Sequence, residues 1–509
     1  MATKEEFISA INQGYACKGD FITLGGAVFN GACCSEAHVT APLKTFNRHG
    51  LIAGATGSGK TKTLQGIAER LSEKGIPVLL MDIKGDLSGI AKAGTSNEKL
   101  VDRHTKIGIP WTQMSFPAEL LSLSKEKGAR LRATVTEFGP VLFSKILDLN
   151  DTQGGVVSLV FKYADDNSLL LLDLKDFKKV LQYLINEGKE EIKKEYGAIS
   201  TASASTILRK IVEIEQQGAD EFFGEKSFDV NDLIRISDEG KGIINIVRLT
   251  DIQDKPKLFS TFMLCLLAEI YATFPEEGDT DQPKLVLFID EAHLVFKEAS
   301  DALLEQLESI IKLIRSKGVG VFFCTQLATD IPANVLSQLG MKIQHAYRAF
   351  TANDRKSIKT IADNYPMSDF YKTEDLMTEL GIGEALITVL SEKGTPTPLA
   401  HTLLCAPRSA MDILTPSEMD ALISKSSLVK KYNEVIDRES AYEMLNKKLS
   451  VEDAEPPAKG KEEPSVATTI INSTVGRQVA RTVAREVTRG LLGILGLKGT
   501  TSRKSKSWF

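Results

Sequence analysis

Eight residues, Gly54-Ala55-Thr56-Gly57-Ser58-Gly59-Lys60-Thr61, constrain this chain more than anything else in it, because they spell GxxxxGK[ST]. A phosphate chain that lies against backbone amides needs a loop that curls without Cβ clashes, and glycine permits that curl. A helix beginning near Lys60 adds its positive end. In such a loop the lysine neutralises the β- and γ-phosphates and the following threonine hydroxyl ligates Mg2+, roles that fall to Lys60 and Thr61. The expected nucleotide contacts are residues 54–61 together with Lys62. The motif also occurs by chance, so its flanks decide. Residues 50–54, GLIAG, read as a short buried strand. Residues 61–74 read as a helix, with Leu64, Ile67, Ala68 and Leu71 at helical spacing. A glycine-rich turn with a stray lysine would need neither flank.

A second site-bearing feature is the pair Asp290-Glu291, which ends the apolar run LVLFI. A carboxylate at the end of a buried strand, beside a phosphate loop, is placed to hold Mg2+ through water; Asp290 takes that role. Glu291 then orients or deprotonates an attacking water. A solvated acidic strand end is the alternative, and it would prevail without the loop. Gln326 follows another apolar run, VGVFFCT, and reaches the γ-phosphate if that strand lies between the two motif strands. The block MDIKGD carries Asp82, Lys84 and Asp86 at a further strand end. There a ligand-binding rim and a plain Gly85-Asp86 turn compete evenly. His293 suits a helix-start hydrogen bond, with a coupling role as the sharper alternative. His49 and His345 have no partners at metal-ligand spacing.

Apolar runs at 77–83, 242–249, 285–290, 319–326 and 342–347 alternate with helical patterns at 256–274 and 302–317. Strands alternating with helices imply an α/β fold with a parallel, doubly wound sheet. The expected division is a small β-rich layer at 1–45, the first part of the core at 46–100, a mainly helical insertion at 101–240 and the second part of the core at 241–410. A helical extension at 411–450, a Pro/Lys/Glu linker at 451–469 and a basic amphipathic helix and tail at 470–509 follow. In that tail Arg477, Arg481, Arg485 and Arg489 recur every fourth residue beside a stripe from Val475 to Leu491. Packing, nucleic-acid binding, an anionic membrane surface and a plain solvated helix all remain open for it.

Composition narrows the function classes. Net charge is −5, so the chain as a whole is no basic nucleic-acid coat, and DNA contact would need a local basic surface. The six cysteines fit no zinc or CxxC spacing, which suits free thiols in a reducing compartment. No apolar run reaches bilayer length and no secretory signal is visible, so a cytoplasmic location without integral membrane association is expected.

The blocks NRHGLIAGATGSGKTKTLQ, PVLLMDIKGDLSG, LVLFIDEAHLVF, RSKGVGVFFCTQ and IPANVLSQLG together resemble the HerA/FtsK superfamily of P-loop ATPases, most of all the bacterial YjgR-type HerA-like group. The resemblance covers most of residues 1–410. It implies a RecA-like core, homo-oligomeric rings, usually hexamers, and ATP-driven movement of double-stranded DNA, with ATP and Mg2+ as cofactors. Lys60, Thr61, Asp290 and Glu291 fall on its nucleotide motifs and Gln326 on its sensor position. Arg48 and Arg315 match arginines that such proteins supply across a subunit boundary, and each is equally readable as a surface ion-pair residue; Arg348 is a weaker third candidate. The chain departs from better-known motors in its long helical stretch between Lys60 and Asp290, its short amino-terminal part and its lack of a recognisable winged-helix DNA reader. A nucleotide-dependent scaffold or switch acting on a protein partner is therefore the alternative to a DNA motor. A partner nuclease is compatible with the resemblance, though no residue argues for one.

Overall fold

A computed structural model of the chain describes residues 3–452 except 279, 298, 349, 350, 435 and 437. The basic amphipathic segment at 470–509 and most of the linker before it lie outside the described residues.

Among the described residues the chain forms two compact units. The first comprises residues 1–132, 226–304 and 311–435 and holds a twelve-stranded sheet. Its strands are β1 Phe21–Phe29, β2 Ala32–Pro42, β3 Gly50–Ala53, β4 Val78–Asp82, β5 Ala118–Ser122, β6 Ala129–Arg130, β7 Ile244–Arg248, β8 Leu285–Ile289, β9 Val319–Thr325, β10 Met341–Gln344, β11 Glu384–Thr388 and β12 Ala400–Leu404. The spatial order is β2-β1-β12-β11-β10-β3-β9-β8-β4-β7-β5-β6. From β10 through β6 every pairing is parallel, and from β2 through β10 every pairing is antiparallel. The central strands β3, β4, β8 and β9 are buried along their whole length, as continuous apolar runs covered on both faces must be. Core side chains such as Ile52, Leu64, Leu80, Phe288 and Phe322 belong to one cluster, in which Phe322 stacks between Phe288 and Phe46.

Four features differ from the sequence-based expectation. The amino-terminal strands are no separate layer: β1 pairs with β12 and extends the main sheet. They are joined by an Asn30-Gly31 turn with both residues at positive φ, 49° and 77°, which suits a tight hairpin. A helix, α1 (Lys4–Gly14), precedes them, capped reciprocally by Thr3 and Glu6, with Phe7 and Ile11 buried one turn apart. Two strands, β5 and β6, interrupt the stretch expected to be helical, because AELLS and AR are too short to show a period. β11 and β12 also went unread, since β11, EALIT, offers only three consecutive apolar residues and β12, AHTLL, is broken by His401 and Thr402.

The second unit comprises residues 133–225 and 305–310 and, of the described residues, 436–452. It is helical, with helices Asp151–Asp166, Leu174–Ile185 and Thr201–Gln216 as its longest continuous members within 133–225. Phe143, Phe161 and Phe177 pack as one aromatic group at its centre, the closest ring centroids 4.8 Å apart. No helix among the described residues is long and apolar enough to cross a membrane.

Candidate phosphate-binding and acidic site

β3 delivers the chain into the loop Gly54–Gly59, and α2 (Lys60–Glu73) leaves it. Gly54, Gly57 and Gly59 have φ of 149°, 77° and 108°, values that L side chains avoid. At Gly54 a Cβ would also fall 2.5 Å from the Cβ of His345. The loop is tied down from behind: Gly54 N–H donates to Thr325 O at 3.3 Å and Ala55 N–H to Ala346 O at 2.8 Å. His345 is fully buried beneath it, sharing a 3.0 Å hydrogen bond with Thr63 Oγ1. Burial, helped by Lys60, pushes its imidazole down to about 4, so it stays neutral. Gly59 caps α2 without a side-chain hydrogen bond, so no side-chain cap covers the amides of the first turn.

Lys60 is buried and bends back over its loop, donating to Gly54 O at 2.6 Å and Ala55 O at 3.2 Å. Burial and then Lys84 lower its pKa, against the pull of Glu291 and Asp290. The Ser58 hydroxyl donates to Ala55 O at 2.7 Å, which closes the turn. Thr61 is half-buried at the start of α2. Thr56 and Gly57 are exposed at the loop crest. Lys62 points elsewhere: its ammonium donates to Met411 O and Gln65 Oε1. Gln65 and Glu69, on the same face of α2, bind the backbone of residues 408–410. That face of the helix therefore holds the segment after β12.

β9 lies between β3 and β8, so the phosphate loop and the acidic pair share one edge of the sheet. Asp290 follows β8, is buried, and has no hydrogen-bond partner for Oδ2. Burial pushes its carboxyl up to about 6, with Lys84 opposing and Glu291 adding. Glu291 is buried too, and its backbone is left-handed at φ 45°. For a residue with a Cβ this costs about 1–2 kcal/mol, a strain typical of functional turns. Its Oε1 forms an ion pair with Lys84 Nζ, and its Oε2 lies 3.3 Å from His293 Nδ1. Lys84 stands just past the neighbouring strand β4. There Asp82 Oδ1 accepts from the Gly85 and Asp86 amides at 2.8 and 3.1 Å, and Oδ2 from Leu87 at 3.2 Å. Asp82 thus fixes the turn, while Lys84 faces the site. In MDIKGD the turn and the rim thus fall to different residues, Asp82 and Lys84.

The orphaned Asp290 oxygen suits a cation that keeps most of its waters, as Mg2+ does. No group of three or more His, Cys, Asp or Glu among the described residues has the geometry to hold a metal, so the protein alone supplies few ligands. Gln326 is exposed immediately beyond β9, between the two motif strands. Arg48 ends a 3-10 turn just before β3, and Arg315 stands just before β9. Both arginines therefore lie at the start of strands whose far ends carry the phosphate loop and Gln326. Sequence reasoning missed the pairing of Lys84 with Glu291, since nothing in either strand announces that they are neighbours. It also missed Glu69 and Gln65, whose polarity on the buried side of α2 was the available signal.

A glycine loop capping a helix between parallel strands, with carboxylates two strands away, defines a P-loop NTPase core of the RecA-like kind. The family model of the helicase HerA-like C-terminal family matches residues 30–469, and the chain belongs to that family. It is 23% identical over 362 residues to the DNA double-strand break repair helicase HerA of Sulfolobus acidocaldarius, covering 69% of this chain and 64% of that one. It is 24% identical over 360 residues to the protein of the same name from Saccharolobus solfataricus, again covering 69% and 64%. The chain thus spans a little under two thirds of the length of these relatives. Among solved structures it resembles the bacterial conjugative coupling protein TrwBdeltaN70, at 14% identity and a TM-score of 0.49, covering 80% of this chain and all of that one.

Proposed function

We propose that the protein is a Mg2+-dependent ATP hydrolase of the HerA type that assembles as a ring, most simply a hexamer, and moves on double-stranded DNA. One observation carries this: β9 lies between β3 and β8, so Lys60 and the Asp290-Glu291 pair meet at one sheet edge. In this reading Lys60 leaves the loop carbonyls for the β- and γ-phosphates, while the α2 amides hold the phosphate chain. Thr61 and Asp290 hold Mg2+, which when bound neutralises charge on the phosphate oxygens. Glu291 orients and deprotonates the attacking water, and Gln326 contacts the γ-phosphate. Arg48 or Arg315 serves the site of a neighbouring subunit, because each lies at the far end of its strand from the site of its own chain.

The first test is steady-state ATP turnover with and without double-stranded DNA. DNA should raise the wild-type rate several-fold, and salt should abolish that gain, because phosphate contacts release counterions. Lys60→Ala and Glu291→Gln should each lose about 100-fold or more in turnover. Glu291→Gln should still bind nucleotide. Wild-type turnover no greater than that of Lys60→Ala would sink the hydrolase assignment.

The ion pair between Glu291 and Lys84 favours a second reading, a slow nucleotide-dependent switch for a protein partner, since it ties up the carboxylate that hydrolysis needs. The net charge of −5 points the same way. A turnover rate indifferent to DNA would select it.

A further inference from the structure

Resting on the ATPase reading, we propose that Lys84 is the residue by which this site tells ATP from ADP: its ammonium exchanges Glu291 for the γ-phosphate, and the exchange frees Glu291.

One oxygen of Glu291 is engaged as the protein stands, while the other, Oε2, is buried without a hydrogen-bond partner. Lys84 Nζ holds Oε1 and His293 Nδ1 faces Oε2 at 3.3 Å. A carboxylate paired with an ammonium is a weakened acceptor for a water proton until that ammonium leaves. Lys84 is the partner able to leave. Its side chain is 39% exposed, whereas the Glu291 side chain is 9% exposed and its backbone is fixed in a left-handed turn. The Lys84 backbone is anchored as well, because Asp82 binds the three amides that follow it. Motion is therefore confined to the flexible lysine stem, which carries a compact point charge with rotatable donors.

The charges around the stem set the direction of exchange. Asp290, Glu291 and Asp86 attract Lys84, and together they outweigh its burial and raise its pKa, so it is a full cation. After burial, the Lys84 charge is the main influence lowering the pKa of Lys60. Lys84 follows β4 on the same rim of the sheet as Lys60 and the acidic pair, with its ammonium at the Glu291 carboxylate. A γ-phosphate drawn to Lys60 brings more negative charge than one carboxylate, and charge-assisted bonds to phosphate are strong. ADP lacks that group and leaves the Lys84–Glu291 pair in place.

Equilibrium binding of ADP and of the imido analogue of ATP, both with Mg2+, tests the assignment on full-length wild type, Lys84→Met, Glu291→Gln and the double variant. Wild type should bind the analogue more tightly than ADP. Lys84→Met should lose about tenfold of that preference while ADP affinity holds, the size of one charge-assisted hydrogen bond. Glu291→Gln should widen the preference, and the double variant should not. Lys84→Gln gives the same comparison should methionine disturb folding. An unchanged preference in Lys84→Met, or equal weakening of both nucleotides, would overturn this role and leave the ATPase reading intact. Wild type that binds neither nucleotide would instead overturn the ATPase reading, and the Lys84 role with it.

Discussion

Gly54 shows how narrowly single residues set this site. Its φ of 149° and the 2.5 Å approach of a would-be Cβ to His345 leave no room for a side chain. Gly54→Ala should cost about 2 kcal/mol or more in a urea unfolding titration, the sum of backbone strain and a clash against backbone-anchored atoms. It should also abolish nucleotide binding, because the amides that follow shift with it. The glycines, Lys60, Thr61 and the Asp290-Glu291 pair were all legible in the sequence, since each sits in a run whose spacing is itself the signal. Lys62 shows the limit of that logic. It is adjacent to the motif, yet helical geometry turns its side chain to Met411. Lys84 shows the converse: its significance depends on β4 and β8 being neighbours, a fact that no local pattern encodes.

At the scale of elements, β3 is held from both ends by buried histidines. His345 lies beneath its loop, and His49 precedes its first residue. His49 Nε2 lies 2.8 Å from Ile311 O, and its Nδ1 accepts from Val321 N–H at 3.0 Å. This neutral tautomer satisfies both partners, whereas a second ring proton would face an N–H. Burial accordingly pushes His49 down to about 4 from an ordinary 6.5. The unfolded chain binds the proton more readily between those values, so stability is full above about 6.5 and falls as pH drops through the window. At pH 5 the His49 contribution to that loss is about 2 kcal/mol. Urea midpoints at pH 7 and pH 5 should show the loss, and His49→Gln should flatten it. An equally steep dependence in the variant would assign the effect to other groups. The strands themselves divide by legibility for a physical reason. β3, β4, β7, β8 and β9 are short apolar runs because a parallel strand is covered on both faces. β11 and β12 carry polar residues into the same sheet, as in His401 bonding Glu384 at 3.0 Å, which leaves only two or three consecutive apolar residues in each to read. The helix α1 left a different trace, the Thr3-to-Glu6 capping box, which is a better guide than its weak apolar period.

For the whole molecule, the decisive geometry is the placement of charge relative to the sheet. Lys60, Asp290 and Gln326 gather where β3, β8 and β9 end, while Arg48 and Arg315 stand where β3 and β9 begin. These strands are parallel, so the two groups occupy opposite edges of one protein and cannot serve one nucleotide within it. In the proposed ring a head-to-tail arrangement would resolve this, because a heterologous interface sets one edge of each subunit against a different surface of the next. Arg315→Ala should then keep nucleotide binding and lose turnover by about 10³-fold, as loss of a charge-stabilising arginine does. Mixing is the sharper measurement. Arg315→Ala supplies an intact phosphate loop, and Lys60→Ala supplies an intact arginine. Random co-assembly in equal amounts should restore turnover at about a quarter of the interfaces, since each needs a loop from one kind of subunit and an arginine from the other. Activity that never rises on mixing, with assembly shown by light scattering, would return Arg315 to the role of a surface ion-pair residue and leave Arg48 as the candidate to test in the same way.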